Sequence, residues 1–370
     1  MNNRIAVRKC TEYNLEEIVG LIREIYKVTE GPDVKGRKVL LKPNILSDND
    51  PAKCISTHPV VFEAMAMFLK EEGAIVVAGD SPAIHLNRFR PVKSGIWDVC
   101  ERMGIEWINF TENPVEKALV KGKIKVASIV DNVDLIFSLP KFKNHELVYF
   151  TGAIKNTLGL VPAFSKTKQH ALHSDRNGFS ELLVDLNEAV TPHYFLMDGI
   201  IGMEGPGPAR GIPVNVGVLL GSTNPLALDI MASKIAGYNT LVIPTSKIAL
   251  HRKKWLQSVD DIIYDGPDIK SLVKTDFRRI PLSGSSNISL KFIMNRIGFV
   301  RKFDRRPVFL RQNCTGCHKC VKICPVGAIK PSTSSPDHII LTDKKCIRCF
   351  CCSEVCGDYA IEIRRKVFGA

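Results

Sequence analysis

A chain of 370 residues, 45% hydrophobic and 24% charged, is long enough for one large core with a small appendage and reads as a soluble globular protein. Its net charge of +13 fits nucleic acid, an anionic membrane or an acidic protein, but with 7% aromatic residues and no reading motif beside the basic stretch, nucleic acid is not an expected partner. No apolar run reaches the roughly 18 residues of a membrane span, and the opening MNNRIAVRKCTEYN lacks an export signal, so no transmembrane segment and a cytoplasmic location are expected.

From Lys38 to about Tyr264, short apolar runs sit beside stretches of helical period, the pattern of alternating strands and helices. VLLKPNIL reads as a strand. Pro59, after Thr57 and His58, opens a helix whose apolar residues come from VVFEAMAMFLKEE and which Gly73 ends. AIVVAGD, VDLIFSLP, HYFLMDG and NVGVLLG read as strands; GFSELLVDLNEAV and NPLALDIMASKIAG read as helices, the latter capped by Asn224 with Pro225 in its first turn. The expected fold is α/β: a large domain over residues 1–285 on a mostly parallel sheet, then a small α+β domain over 307–370. Between them, PLSGSSN turns small and polar, and ISLKFIMNRIGFVRKF supplies a basic amphipathic linker placed at 286–306. Lys291, Arg296, Arg301, Lys302, Arg305, Arg306 and Arg311 stand against Asp304 alone, which makes either a solvated face or a docking surface for an acidic partner. This segment is expected to pack between the domains, and peripheral membrane contact is not expected.

A parallel sheet places its ligand crevice beyond the carboxyl ends of its strands. Lys42 and Asn44 follow VLL; Asp80 and Ser81 follow AIVVAG; Lys141, Lys143 and His145 follow LIFSLP; Asp198 follows YFLM and leads into GIIGMEGPGPARG, which holds Glu204. Lysines there suit a carboxylate or phosphate, and Asp80, Asp198 and Glu204 suit a divalent metal or proton transfer. Lys42, Asp80, Lys141, His145, Asp198 and Glu204 are therefore the catalytic candidates, with Asn44 and Lys143 on the substrate-binding side. Taken singly, each equally suits a helix cap or a water-facing position. GPGPARG is no dinucleotide turn and no Walker sequence is present. His170 and His173 read as part of a polar loop, since no third metal ligand accompanies them, and Asp229 reads as a complement to the dipole of its own helix.

Nine of the twelve cysteines fall between Cys314 and Cys356; Cys10, Cys54 and Cys100 are scattered and read as buried filler. NCTGCHKCVKICPVGAI and KCIRCFCCSEVCGDYAI both contain CxxCxxCxxxC, offset by 32 residues. Three cysteines at intervals of three wrap one iron–sulfur cube while the fourth completes the other, so crossed ligation is expected. Cys314, Cys317, Cys320 and Cys356 would hold one 4Fe-4S cluster, and Cys346, Cys349, Cys352 and Cys324 the second. Cys351 reads as a non-ligating thiol; zinc is disfavoured because it normally takes paired CxxC units. All-thiolate ligation points to the lower half of the range of roughly −700 to +450 mV.

CPVGAI and CGDYAI, with their preceding trios, resemble the bacterial two-cluster ferredoxins over about the last sixty residues; Gly357 stands where the family usually has proline, which relaxes a turn without removing a sulfur. LLKPNIL, THPVV, GDSP, LPKFKNHELVYFTGAIKNTLG, MDGIIGMEGPGP and NPLALD resemble the domain of unknown function 362 family over most of residues 38 to 240, a family that often carries a C-terminal ferredoxin module. That resemblance implies architecture and coupling to clusters but no reaction, and it adds Lys155 and Asn156 to the substrate-binding candidates. Two functions stay open. One is an anaerobic iron–sulfur oxidoreductase that passes electrons through two 4Fe-4S clusters between a redox partner protein and an anionic small molecule at the α/β domain. The other is an electron-carrier or adaptor protein that docks an enzyme and has no substrate of its own.

Overall fold

Asn14, Pro59 and Asn224 stand where helices begin. Helix α1 (Leu15–Val28) follows Asn14, whose side chain accepts from the Glu17 amide; α2 (Pro59–Glu71) follows His58; and Asn224 accepts from the Leu226 and Ala227 amides ahead of a helix at Pro225–Ile235. Each such cap contributes about 1 kcal/mol by satisfying amides that the first turn leaves without partners. In α1 the residues Ile18, Ile22 and Ile25 recur at helical period on one buried face, and α1 packs against α2.

The computed structural model describes residues 2–82, 89–173, 175–281, 305–332 and 338–365. The chain divides into two units, Met1–Lys166 with Arg176–Ile280, and Thr167–Asp175 with Pro281–Ala370. Of the linker expected at 286–306, all but the last two residues lie outside the described residues, and those two begin a strand.

The first unit is built on one sheet. Its strands are β1 (Arg4–Lys9), β2 (Lys38–Pro43), β3 (Ile75–Ala78) and β4 (Glu106–Trp107). After the separate hairpin β5 (Val115–Ala118) and β6 (Lys123–Val126) come β7 (Leu135–Leu139), β8 (Lys141–His145), β9 (Tyr149–Thr151), β10 (Tyr194–Glu204), β11 (Ile212–Ser222) and β12 (Ile263–Asp265). The order is β12-β1-β11-β10-β7-β2-β3-β4, with β8 taking up a place beside β10 beyond Pro140 and pairing with β9. β10, β7, β2, β3 and β4 run parallel, whereas β11 is antiparallel to both β10 and β1. The sheet is mostly parallel, as expected, with an antiparallel flank that an apolar run such as NVGVLLG does not reveal.

Helices cover both faces. The pleat sends Val39 and Leu41 into the cluster with Ile18, Ile22 and Phe62, while Phe195 and Met197 join Leu182, Leu183 and Leu226 on the other side. The remaining helices are α3 (Ile96–Met103), α4 (Ala153–Asn156), α5 (Ala163–Leu172), of which only residues 163–166 belong to this unit, α6 (Arg176–Val190), α7 (Pro225–Ile235), α8 (Pro244–Arg252) and α9 (Ile269–Leu272). His170 lies in α5, so the segment read as a polar loop is helical there. Asp229 also works differently from expectation: its carboxylate accepts from the Ala153 amide at 2.5 Å and the Ile154 amide at 3.2 Å, capping α4 instead of its own helix.

In the second unit β13 (Arg305–Phe309) pairs antiparallel with β16 (Ile361–Arg365), and β14 (Ile329–Pro331) with β15 (Ile339–Leu341); two short helices lie at Lys319–Ile323 and Cys351–Glu354. Left-handed backbone positions recur at the offset of the cysteine repeat: Gly316 with Arg348, His318 with Phe350, Gly327 with Tyr359.

Candidate functional site

Two buried charge pairs sit at the carboxyl edge of the parallel strands. Lys42, the penultimate residue of β2, meets Asp80, two residues past β3, at 3.1 Å, with both side chains at most 2% exposed. Lys42 Nζ also donates to the Pro43 carbonyl at 2.9 Å and to Asn156 Oδ1 at 3.3 Å. The same Asn156 oxygen accepts from Asn44 Nδ2 at 2.9 Å, and Asn156 Nδ2 donates to Ser138 Oγ at 2.9 Å. Asp80 is held by the Ile45 and Ser81 amides at 2.6 and 2.8 Å. Gly159 closes over the pair: a Cβ there would collide with the Asp80 carboxylate and the Lys42 ammonium. Burial pushes the Lys42 pKa down, and Asp80 works against that shift.

The second pair joins Lys141, which opens β8, to Asp198 within β10 at 2.7 Å, where the strand register itself sets these two residues opposite each other. Two residues that were not among the site candidates, Tyr13 and His58, complete it. Tyr13 donates its hydroxyl to Asp198 Oδ1 at 3.2 Å and accepts from Lys141 Nζ at 3.0 Å, and its ring stacks on His58 at 3.5 Å and 10°. The His58 amide donates to Asp198 Oδ2 at 2.9 Å, and burial pushes the His58 pKa down to about 4. The Cys54 thiol is held up by burial, with Lys141 opposing.

The structure thus brings Lys42, Asn44, Asp80 and Asn156 into one network and Lys141 and Asp198 into another. The remaining candidates are engaged elsewhere. Lys143 is buried and donates to the Ile55 carbonyl at 2.5 Å. His145 Nδ1 accepts from the Leu147 and Val148 amides at 3.1 and 3.4 Å. Glu204, at the far end of β10, takes the Arg278 amide at 2.9 Å and the Arg278 guanidinium at 3.3 Å. Lys155 is half-buried in α4 beside Asn156. Asp80, Asp198 and Glu204 therefore each face a different cation of the chain. His58 and Gly159 lie within THPVV and KNTLG, so their motifs were visible; Tyr13 lies in an N-terminal stretch that carries no such signal.

The second unit contains two cavities. One is lined by Cys314, Cys317, Cys320 and Cys356; the other by Cys324, Cys346, Cys349 and Cys352 together with Cys351. Each set is the one that crossed ligation assigns. Among the described residues no three His, Cys, Asp or Glu side chains converge as the ligands of a single ion do. A 4Fe-4S cube takes each thiolate at a different corner, so its ligands ring a volume, and a cysteine-lined cavity fits that need. Four residues after each outlying cysteine an amide donates to its sulfur, Ala328 to Cys324 and Ala360 to Cys356, both at 3.2 Å. Such bonds stabilise thiolate charge, and Gly357 keeps the turn that supplies one of them without the usual proline. Burial pushes the Cys320 thiol up to about 11 and raises those of Cys346, Cys352 and Cys356 as well. Cys349 is lowered, chiefly by a hydrogen bond from the Cys351 thiol. Iron would supply the positive charge needed to deprotonate these groups. Cys10, Cys54 and Cys100 are buried in the first unit.

Comparison with known proteins sorts the two units. Residues 39–234 match the model of a family described as a domain of unknown function, number 362, and residues 307–330 match the 4Fe-4S binding domain. A thylakoid-associated protein, sll1697, of Synechocystis sp. (strain ATCC 27184 / PCC 6803 / Kazusa) is 32% identical over 212 residues, 57% of this chain and 66% of that protein, so the chain spans just under two thirds of this relative. Among solved structures, the lactate racemase apoprotein from Thermoanaerobacterium thermosaccharolyticum superposes with a TM-score of 0.41 at 12% identity, over 59% of this chain and 54% of that one. A protein from Thermotoga maritima gives 0.39 at 15% identity, over 56% and 55%.

Proposed function

From the premise that this chain belongs to the family of the domain of unknown function 362 and carries a 4Fe-4S binding domain behind it, we propose an iron–sulfur redox protein with two clusters that exchanges electrons with an anionic substrate or partner at its α/β unit. The observation that carries the reading is the sorting of the cysteines: the four that spacing assigns to each cluster line their own cavity. Bound there, 4Fe-4S clusters supply one-electron transfer at low potential. The chain's part is to present thiolates at the corners, to donate the Ala328 and Ala360 amides to sulfur, and to bury the second site behind Cys351 and Cys352.

In the α/β unit the buried lysines are the groups suited to an anion, and the Asn44–Asn156 amides are suited to orient it. Asp80, Asp198 and Glu204 remain candidate ligands of a divalent ion only if their cations are displaced. The test of the redox reading is iron and acid-labile sulfide on anaerobically purified protein, with electron paramagnetic resonance before and after dithionite. About eight irons per chain and a reduced-state signal broadened by coupling are expected. Zinc, or no metal after reconstitution, overturns it.

One observation favours a second reading, the carrier or adaptor without a substrate. Lys42, Lys141 and Lys143 already have acceptors in the chain, namely Asp80, Asp198 and the Ile55 carbonyl. An entering anion has to displace them. A panel of carboxylates and phosphates that leaves the unfolding temperature of the α/β unit unchanged selects the adaptor; a concentration-dependent rise selects the substrate.

A further inference from the structure

Resting on the proposal that the clusters are present, we infer that the first cysteine-lined cavity is the electron port of the C-terminal unit and that its lysines dock an acidic one-electron carrier protein. The two cavities differ in what surrounds the sulfur. The first has Thr315, His318, Lys319 and Asp358 in its wall; the second has Pro325, Val326, Ile347 and Phe350. Cys317, in the first, is exposed, whereas Cys351 and Cys352, in the second, are buried. An electron crosses most readily where a partner's own cofactor can come close, and Cys317 marks that place.

The charge around it is one-sided. The described residues 305–332 and 338–365 hold eleven lysines and arginines against four aspartates and glutamates. Lys319 and Lys322 are both exposed, three apart on the helix Lys319–Ile323, which contains no acid, and Arg311 is exposed just before Cys314. Of the acids nearby, Asp343 is bridged to Arg348 at 3.0 Å and Glu362 accepts from Arg364 at 2.6 Å, while Asp358, in the cavity wall, accepts from Thr315 Oγ1 at 2.8 Å and keeps its charge, so the basic residues outnumber the acids without a cation partner. Each oxidised cube with its four thiolates adds a charge of about −2, which leaves this part of the chain positive.

A positive face around a redox centre steers a negative protein, raising its rate of encounter in a way that salt screens. A lipid surface or a nucleic acid would meet the same lysines but supply no electron, so the position beside Cys317 favours a protein carrier. In the transfer the carrier loses one electron and the site gains one, with no bond made or broken.

The experiment follows reduction of the full-length holoprotein by stopped flow, using reduced flavodoxin as an acidic one-electron carrier and a photoreduced neutral deazaflavin as the control, across a range of ionic strength. For the carrier, the rate falls as salt rises, and Arg311→Glu with Lys322→Glu, both outside the cavity wall, slows it by about tenfold or more at low salt, converging with the parent at high salt. Iron content and reduction by deazaflavin stay unchanged. A carrier rate indifferent to salt and to the double substitution overturns the inference while leaving the cluster proposal intact. So does lysine-dependent binding to anionic-lipid vesicles with a flat carrier rate, which would make the face a lipid contact. Protein without iron overturns both.

Discussion

The α/β unit sinks its charges and the C-terminal unit wears them. At the sheet edge, lysine and aspartate are buried in pairs, each neutralised by the chain itself, while around the cysteines the lysines stand in water and the buried polarisable atoms are sulfur. Burying a pair trades a large desolvation cost for geometric definition, so the first region is fixed before any ligand arrives. On the two-cluster proposal the second depends on what fills it, because thiols that burial keeps protonated gain little from one another.

The comparison is broken most severely by removing metal. Cys349→Ser, or chelation of iron from the parent, is expected to abolish protection from hydrogen exchange in β13 to β16 while β2, β7 and β10 keep theirs. Equal loss in both units would contradict the division into a self-sufficient region and a metal-dependent one. Next in size is Asp198→Ala, which leaves Lys141 buried without its carboxylate and should cost about 3–5 kcal/mol in urea unfolding. Replacing both, Lys141→Met with Asp198→Leu, should recover most of that. A double variant as unstable as the single one would mean that the pair itself, and not the stranded charge, matters.

An effect of similar size but spread over pH sharpens the contrast within the α/β unit, where Asp229 is a buried carboxylate held by amides and not by a lysine. Burial raises its pKa from 3.8 to about 7, with the Ala153 and Ile154 amides opposing. The folded chain then keeps a proton that the unfolded chain has released, so its contribution is fully present below pH 4 and is lost as pH rises through 7. The span is on the order of 4 kcal/mol. Against Asp229→Asn, which has no such titration, the parent's urea midpoint should decline between pH 4 and 7 and then run parallel. Parallel curves throughout that range would show that the amides, not burial, set this group.

Local rules were legible in the sequence, and pairings across the fold were not. The helix beginnings at Pro59 and Asn224 could be read because a cap acts within three residues, and the gathering of eight cysteines into two pockets because their spacing repeats. The strand ends of β2, β3 and β7 placed Lys42, Asp80 and Lys141 at one edge, since parallel strands align their carboxyl ends. A strand end tells where a side chain emerges but not what it meets. Hence the partnership of Lys141 with Tyr13, 128 residues away, and the transfer of Asp229 from its own helix to α4, needed the fold. The antiparallel course of β11 was hidden for a related reason: strands buried on both faces read as apolar runs whichever way they point.

The two copies of the cysteine repeat share their backbone hand at matched positions, yet neither is a finished article. The first cavity takes Gly316 and His318 from one copy and Cys356 with Asp358 from the other; the second cavity takes Ile347 and Phe350 from the later copy and Cys324 with Val326 from the earlier. A chain severed between the copies would therefore not yield one working site and one lost one, but two halves of each.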